Sequence, residues 1–85
     1  MIQYKGGDGS SKEKAIIILG VDSELEGVDA EYDYIKRKYG YFEMDSQILL
    51  DEGDKQYDKM NISYAQGKKK ELWFDITEFY GKDSE

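Results

Sequence analysis

Residues 15–40 read AIIILGVDSELEGVDAEYDYIKRKYG, and this stretch decides the first half of the predicted fold. Its first five residues are apolar and mostly β-branched, which is typical of a strand that is buried on both faces. Gly20 ends that strand. Ser23 and Glu26 then have the spacing of a capping box, which predicts that a helix begins here. Gly27 leaves open a start one turn later.

The predicted helix carries an apolar stripe, because large apolar residues recur at steps of three or four positions. The stripe consists of Leu25, Val28, Tyr32, Ile35 and Tyr39. Acidic residues lie near the start of the helix and basic residues fill its last turn, an order that suits the helix dipole. Gly40 stands where a residue with positive φ commonly follows a helix. We therefore expect the stripe to face the protein core.

Three more strands are predicted at residues 42–50, 57–64 and 71–76, where apolar and polar residues alternate. The element order strand–helix–strand–strand–strand predicts an α+β fold, an antiparallel sheet with one helix packed on one face. Residues 1–14 are expected to form a Gly- and Ser-rich N-terminal segment. Residues 82–85 are expected to be a frayed tail.

The faces of the strands constrain the two hairpin turns, which are expected near residues 52–54 and 66–68. The apolar residues share one face of the sheet only if each turn has an odd number of residues. The expected cross-strand partners are Met44 with Ile62, Ile48 with Asp58, Ile62 with Leu72 and Met60 with Phe74. The helix is expected to cover the face that carries these apolar residues.

The same register predicts a second sheet face that the single helix does not cover. This face is expected to carry Gln47, Leu49, Tyr57, Lys59, Asn61, Trp73 and Asp75. Lys59 and Asp75 are expected to be cross-strand neighbours. Tyr and Trp are enriched at interfaces because they bury a large area and keep a polar group available. The candidate protein-binding residues are therefore Leu49, Tyr57, Lys59, Trp73 and Asp75.

The composition narrows the chemistry that the chain can perform. It has 85 residues, a formal net charge of -7 and no histidine, cysteine or proline. This length predicts one domain, residues 1–85. The usual general base, thiol nucleophile and soft metal ligands are missing, so we predict no catalytic, cofactor-binding or metal-binding residue and no cofactor. The acidic balance argues against nucleic acid as a partner, and no apolar run reaches the length of a membrane span.

Two loops share features with known ligand sites. Residues 6–11, GGDGSS, are glycine-rich like a phosphate-binding loop, but they precede a strand and lack the lysine of that motif. Residues 51–54, DEGD, with Asp58 beyond, gather the carboxylates that calcium prefers, but their spacing differs from that of an EF-hand. Lys55 also lies among them. Solvated turns are the favoured interpretation of both loops.

Several segments together resemble a group of short bacterial proteins of unknown function. They are YKGGDGSS at 4–11, AIII at 15–18, GVDAEY at 27–32, YD at 57–58 and WFDITEFYG at 73–81. The resemblance covers most of the chain. It implies a bacterial, cytosolic, stand-alone domain and supplies no activity, cofactor or site residue. The element order is also similar to that of cystatin-like proteins, a likeness of fold that implies no inhibitory function.

The expected function is a non-enzymatic protein-binding or regulatory module in the cytoplasm, in which the Trp73 face meets a partner with a basic surface. The acidic residues at 22–33 either mimic nucleic acid, steer that partner by charge or form a solvated helix face. Two alternatives remain for the second sheet face, which carries Trp73. An N-terminal segment containing Ile2 and Tyr4 covers it, or it forms the interface of a homodimer. The alternative functions are a small-ligand binder or enzyme built on carboxylates and tyrosines, and a calcium-stabilised domain. A carboxylate with a strongly raised pKa in a deep pocket would favour the ligand binder or enzyme.

Overall fold

The structure, a computed structural model, describes residues 1–82, which form a five-stranded sheet with one α-helix on it. The strands are β1 (Gln3–Gly6), β2 (Ile16–Leu19), β3 (Phe42–Asp51), β4 (Gln56–Tyr64) and β5 (Lys68–Asp75). The helix α1 spans Glu24–Tyr39, and a short 3-10 helix spans Lys12–Lys14. The predicted α+β fold is confirmed.

The sheet runs in the order β1-β2-β5-β4-β3, and its pairs are antiparallel except for β2 with β5. The chain leaves β2 through α1 and returns through the β3–β4 hairpin, so β5 meets β2 in the parallel direction. This parallel pair differs from the prediction, in which the whole sheet is antiparallel. β1 is a second difference, because no strand is predicted within the N-terminal segment 1–14. It pairs with β2 and places Tyr4 opposite Ile18.

A bulge in β3 changes which side chains of this strand share a face. Before the bulge, Met44 pairs with Ile62 as predicted. After the bulge, the register is shifted by one residue, so that Leu49 and not Ile48 lies opposite Asp58. The extra residue reverses the alternation of the strand for the rest of its length.

The turn between β3 and β4 comprises four residues, 52–55, where an odd number was predicted. The bulge explains the difference, because the extra residue that the parity argument assigns to the turn lies in the strand. Gln47 and Leu49 therefore lie on the face that α1 covers, while Ile48 and Leu50 lie on the opposite face. Their faces are the reverse of the predicted ones.

The turn between β4 and β5 has the predicted odd length. Its three residues, all with positive φ, are Ala65, Gln66 and Gly67. The partners differ from the prediction by two positions, since Met60 pairs with Leu72 and Ile62 with Lys70. A shift of two positions leaves every side chain on its face. Leu72 and Phe74 are accordingly buried, as expected.

The core lies between α1 and the sheet. Its buried residues are Ile16, Ile18, Val21, Ala30, Ile35, Met60, Ile62, Leu72, Phe74, Ile76 and Phe79. The helix begins as predicted, because the Ser23 hydroxyl accepts a hydrogen bond from the amide of Glu26 at 3.1 Å. β1 is attached to the helix by the Tyr4 hydroxyl, which donates to the carbonyl of Ala30 at 2.8 Å.

The helix buries a different stripe from the predicted one. Its buried residues are Gly27, Ala30, Glu31 and Ile35. Leu25, at the start of the predicted stripe, is 71% exposed. At Gly27, an added Cβ atom would lie 2.3 Å from Cε1 of Phe79. The backbone of α1 therefore packs directly against the ring of Phe79. Because glycine permits that approach, the helix turns Gly27 and not Leu25 toward the core.

The described chain ends in a turn that packs against the start of α1. Phe79 is 1% exposed, and the carbonyl of Lys82 accepts a hydrogen bond from the amide of Glu24 at 3.1 Å. Lys82 is thus hydrogen-bonded, although it was predicted to belong to a frayed tail. The rest of that predicted tail, residues 83–85, lies outside the described residues.

Candidate functional site

The five residues predicted to form a protein-binding face do not lie on one face of the sheet. Tyr57, Lys59, Trp73 and Asp75 lie on the side away from α1, which we call the outer face, whereas Leu49 lies on the helix side. Tyr57 and Asp75 are 7% and 5% exposed and offer a partner little surface. Lys59 and Trp73 are half-buried cross-strand neighbours, with the Lys59 ammonium 5.5 Å from the indole ring centre. Only these two of the five remain on an accessible part of the outer face.

The charge pairs of the outer face also differ from the prediction. Lys59 does not neighbour Asp75, because the partner of Asp75 across the strands is Tyr57. The Lys59 ammonium lies 3.7 Å from the carboxylate of Glu71, and Asp75 pairs with Lys55 at 3.6 Å.

The N-terminal segment reaches the outer face through the 3-10 helix and not through Ile2 and Tyr4. Lys12 lines the same recess as Tyr57, and its ammonium lies 2.7 Å from the carboxylate of Glu52. Tyr4 packs on the other side of the sheet, where it contacts α1. The predicted alternative of an N-terminal cover is therefore wrong in the residues it named.

The helix side of the sheet holds an open groove beside the first half of α1. The groove is lined by Glu24, Leu25, Val28, Gln47, Leu49, Asp58, Ile76, Phe79 and Tyr80. Its volume is about 460 Å³, within the ~300–1,000 Å³ of typical ligand sites. Two features described above create it. The bulge in β3 places Gln47 and Leu49 in the groove, and the close contact at Gly27 leaves Leu25 and Val28 in its wall.

Two acidic side chains meet at the inner end of this groove. Asp58, from β4, is 6% exposed and lines the groove, whereas Glu31, from α1, is fully buried and faces Asp58. The side-chain amide of Gln47 donates to Oδ2 of Asp58 at 3.4 Å. Neither carboxyl oxygen of Glu31 receives a hydrogen bond from the described residues. Buried polar groups are normally paired, so this carboxyl group requires an explanation.

A proton on Glu31 provides that explanation. Two ionised carboxylates have acceptors only, whereas a protonated Glu31 donates a hydrogen bond to Asp58. Burial, followed by the hydrogen bond with Asp58 and its charge, raises the pKa of Glu31 from 4.5 to about 10. At neutral pH the two residues, here called the acidic pair, therefore hold one proton and one negative charge between them.

The acidic pair lowers the stability of the fold at neutral pH. A protonated Glu31 at pH 7 costs about 3 kcal/mol against an unfolded chain whose glutamate is ionised, at about 1.4 kcal/mol per pH unit. The core of so small a domain supplies a net stability of only ~3–5 kcal/mol. An apolar side chain at position 31 would avoid this cost. Stability thus offers no reason for the pair, which marks it as the candidate functional centre.

The mouth of the groove is apolar and its charged lining is acidic. Leu25, Leu49 and Tyr80 are 71%, 48% and 37% exposed, so they present apolar surface to solvent. Among the described lining residues, Glu24 and Asp58 are acidic and none is basic. The groove therefore fits a positively charged group that is carried on an apolar body.

The sequence does not predict this site, because it places Glu31 among the acidic residues of a helix face that is either solvated or turned to a partner. Asp58 is predicted opposite Ile48 on the covered face and is also counted with the acidic residues 51–54, so no signal brings it next to Glu31. One signal was present, because Glu31 lies three positions after Val28 and four before Ile35, which places it beside the apolar stripe. The bulge that brings Leu49 opposite Asp58 has no clear signal in the sequence.

Comparison of the chain with family models, with curated proteins and with solved structures gave no match. The resemblance to short bacterial proteins therefore stays a prediction. Within residues 1–82, no helix is long and apolar enough to cross a membrane, and no three His, Cys, Asp or Glu side chains form a metal-binding group. At residues 51–54, where calcium binding was an alternative, the carboxylate of Asp51 accepts a hydrogen bond from the amide of Gly53 at 3.1 Å.

Proposed function

We propose that this protein is a binding module that receives a basic side chain of a partner protein in the groove between α1 and β3. The observation that carries the proposal is the acidic pair at the inner end of the groove, where Asp58 is reached from the mouth and Glu31 lies behind it. With one proton, the pair carries a single negative charge. That charge attracts a basic side chain into the groove.

Lysine suits this groove better than arginine. The aliphatic stem of a lysine can pack against Val28, Leu49 and Ile76 while its ammonium reaches the carboxylate of Asp58. An arginine binds most strongly when both oxygens of one carboxylate accept its guanidinium. One oxygen of Asp58 already accepts a hydrogen bond from Gln47.

A protein partner suits the shape of the site better than a small molecule does. Sites for small molecules bury most of the ligand surface, whereas this groove is open to solvent along one side. The exposed Leu25, Leu49 and Tyr80 form an apolar rim that a flat protein surface can cover. The formal net charge of -7 would steer a basic partner toward the module. The resemblance of the sequence to short bacterial proteins adds a cytoplasmic setting to the proposal.

Nuclear magnetic resonance titration with a blocked tripeptide, acetyl-Leu-Lys-Leu-amide, tests the proposal. We expect amide shift changes at groove residues such as Leu25, Leu49 and Asp58, with a dissociation constant on the order of 1 mM. The same peptide with Nε-acetyl-lysine is the matched probe, because it keeps the shape and lacks the charge. It is expected to bind at least tenfold more weakly.

Two variants locate the interaction. Asp58→Asn is expected to weaken binding of the lysine peptide about tenfold, because it removes the negative charge of the pair. Asp33→Asn is the matched control, since Asp33 is an exposed acid of α1 that pairs with Arg37 and lies outside the groove lining. Equal binding of both peptides, or equal effects of both variants, would contradict the proposal.

The outer face is a second candidate surface, favoured by one observation. The β3 bulge brings Ile48, which is 44% exposed, into the same cross-strand row as Lys59 and Trp73. A partner bound there would be lost with Trp73→Ala and retained with Asp58→Asn. Shift changes confined to this row in the peptide titration would favour the outer face over the groove.

A further inference from the structure

The proton of the acidic pair and the cation expected in the groove both interact with the carboxyl groups of Glu31 and Asp58. Asp58 lies between Glu31 and the groove, so a cation in the groove approaches the carboxylate that accepts the hydrogen bond of Glu31. A positive charge at this place favours the ionised form of Glu31. Bound cation and shared proton therefore oppose each other.

Few other ionisable groups lie near enough to Glu31 to release a proton in its place when a cation binds. Asp58 faces Glu31 from β4, and β3 contributes the neutral Gln47. β2 and β5 turn apolar side chains toward the helix. Glu24 of α1 and Tyr80 of the terminal turn line the same groove and are the remaining titratable groups of its described lining.

We propose that a cation bound in the groove displaces the proton shared by Glu31 and Asp58, so that the partner binds more tightly as the pH rises. This inference rests on the proposed function. Before binding, the pair holds one proton and one negative charge. After binding, Glu31 is ionised, the carboxylate of Asp58 faces the ammonium, and the released proton has passed through the groove to solvent. The raised pKa of Glu31 supports the inference, because it keeps the proton in place until a cation arrives.

Isothermal titration calorimetry with acetyl-Leu-Lys-Leu-amide in phosphate and in Tris buffer at pH 7 tests the inference. The enthalpy difference between buffers gives the number of protons released. For the wild type, we expect release approaching about one proton per peptide. The dissociation constant should fall by up to about tenfold per pH unit between pH 6 and pH 8. The blocked ends of the peptide leave its lysine as the only titratable group of the probe.

Two variants assign the proton to its source. Glu31→Gln is expected to bind the peptide through Asp58 with no proton release and with a constant dissociation constant from pH 6 to pH 8. Glu43→Gln is the matched control, since Glu43 is an exposed glutamate of β3 outside the groove lining, and it is expected to release the proton as the wild type does. Circular dichroism checks the fold of both variants. If Glu31→Gln is unfolded, the buffer comparison on the wild type decides.

The outcomes separate this inference from the proposed function. Absence of peptide binding to the wild type at every pH overturns the proposed function. Binding without proton release, or release that persists in a folded Glu31→Gln variant, overturns the proton exchange and leaves the binding site standing.

Discussion

The two sides of the interface between α1 and the sheet are built differently. On the packed side, toward β2 and β5, Phe74 is fully buried and the ring of Tyr34 meets it edge-on, with centroids 5.8 Å apart. On the open side, toward β3, Leu49 and Asp58 line a groove. One helix of 16 residues does not cover all five strands, so part of the sheet face stays accessible. The packed side therefore stabilises the fold, whereas the open side holds the groove and the acidic pair.

The largest effect is expected on the packed side. Phe74→Ala should lower the free energy of unfolding by about 3–5 kcal/mol, because it removes a fully buried ring and leaves a cavity. Leu49→Ala, the matched truncation on the open side, should cost less than about 1 kcal/mol, since Leu49 is 48% exposed. Urea unfolding followed by tryptophan fluorescence measures both. Equal losses would break the comparison, whereas a Phe74→Ala chain that is already unfolded without urea would support it.

The next effect concerns the acidic pair and depends on pH. Because the pKa of Glu31 is raised in the fold, its stabilising contribution is complete below about pH 4.5 and is lost as the pH rises toward 10. The free energy of unfolding should therefore fall by up to about 1.4 kcal/mol per pH unit between pH 5 and pH 8. Glu31→Gln should remove this slope and gain about 2–3 kcal/mol at pH 7.

Urea unfolding at several pH values measures this slope. The sequence contains no histidine, so the side chains that usually titrate near neutrality are missing and the slope can be assigned to Glu31. A wild type whose stability is constant from pH 5 to pH 8 would show that the acidic pair is not protonated as described.

A smaller effect is expected where the packed side meets the open side, at Gly27. Alanine there would improve helix propensity, but its Cβ would lie 2.3 Å from Cε1 of Phe79. The overpacking should lower the free energy of unfolding by about 1–3 kcal/mol. Lys36→Ala, at an exposed helix position, is the control and should change stability by less than about 0.5 kcal/mol. A stabilised Gly27→Ala variant would mean that the helix does not sit as close to Phe79 as described.

The smallest effect on stability is expected at the rim of the groove. Leu25→Ser should change the free energy of unfolding by less than about 0.5 kcal/mol, because Leu25 is 71% exposed. It should nevertheless weaken binding of the lysine peptide several-fold. Tyr41→Ser is the control, since Tyr41 is 80% exposed and lies outside the groove. A large loss of stability with Leu25→Ser would place this residue in the core.

The elements of the fold were largely predictable because their signals are local. The cap at Ser23 and the alternation around Met60 and Leu72 depend on residues close together in the chain, and the structure confirms both. The β3 bulge is different. It is set by how a whole strand fits its partner, and it moves Leu49 from the predicted outer face to the helix side.

The candidate site was not predictable because it depends on contacts between distant segments. The predicted helix stripe assumes that the largest apolar residues face the core, but the contact between Gly27 and Phe79 turns the helix and exposes Leu25. Glu31 then occupies a buried position opposite Asp58. Composition alone favours a solvated surface for both acids, since charged residues are seldom buried.

A carbon-13 titration of the Glu31 side-chain carboxyl group decides whether this residue is buried in protonated form beside the open groove. We expect its signal to stay at the position of a protonated acid from pH 5 to pH 8, with a pKa of about 10. Asp58→Asn should lower that pKa, because it removes the neighbouring charge. A Glu31 signal that titrates with a midpoint near 4.5, the ordinary value for this side chain, would show that Glu31 is ionised at neutral pH and that the acidic pair holds no proton.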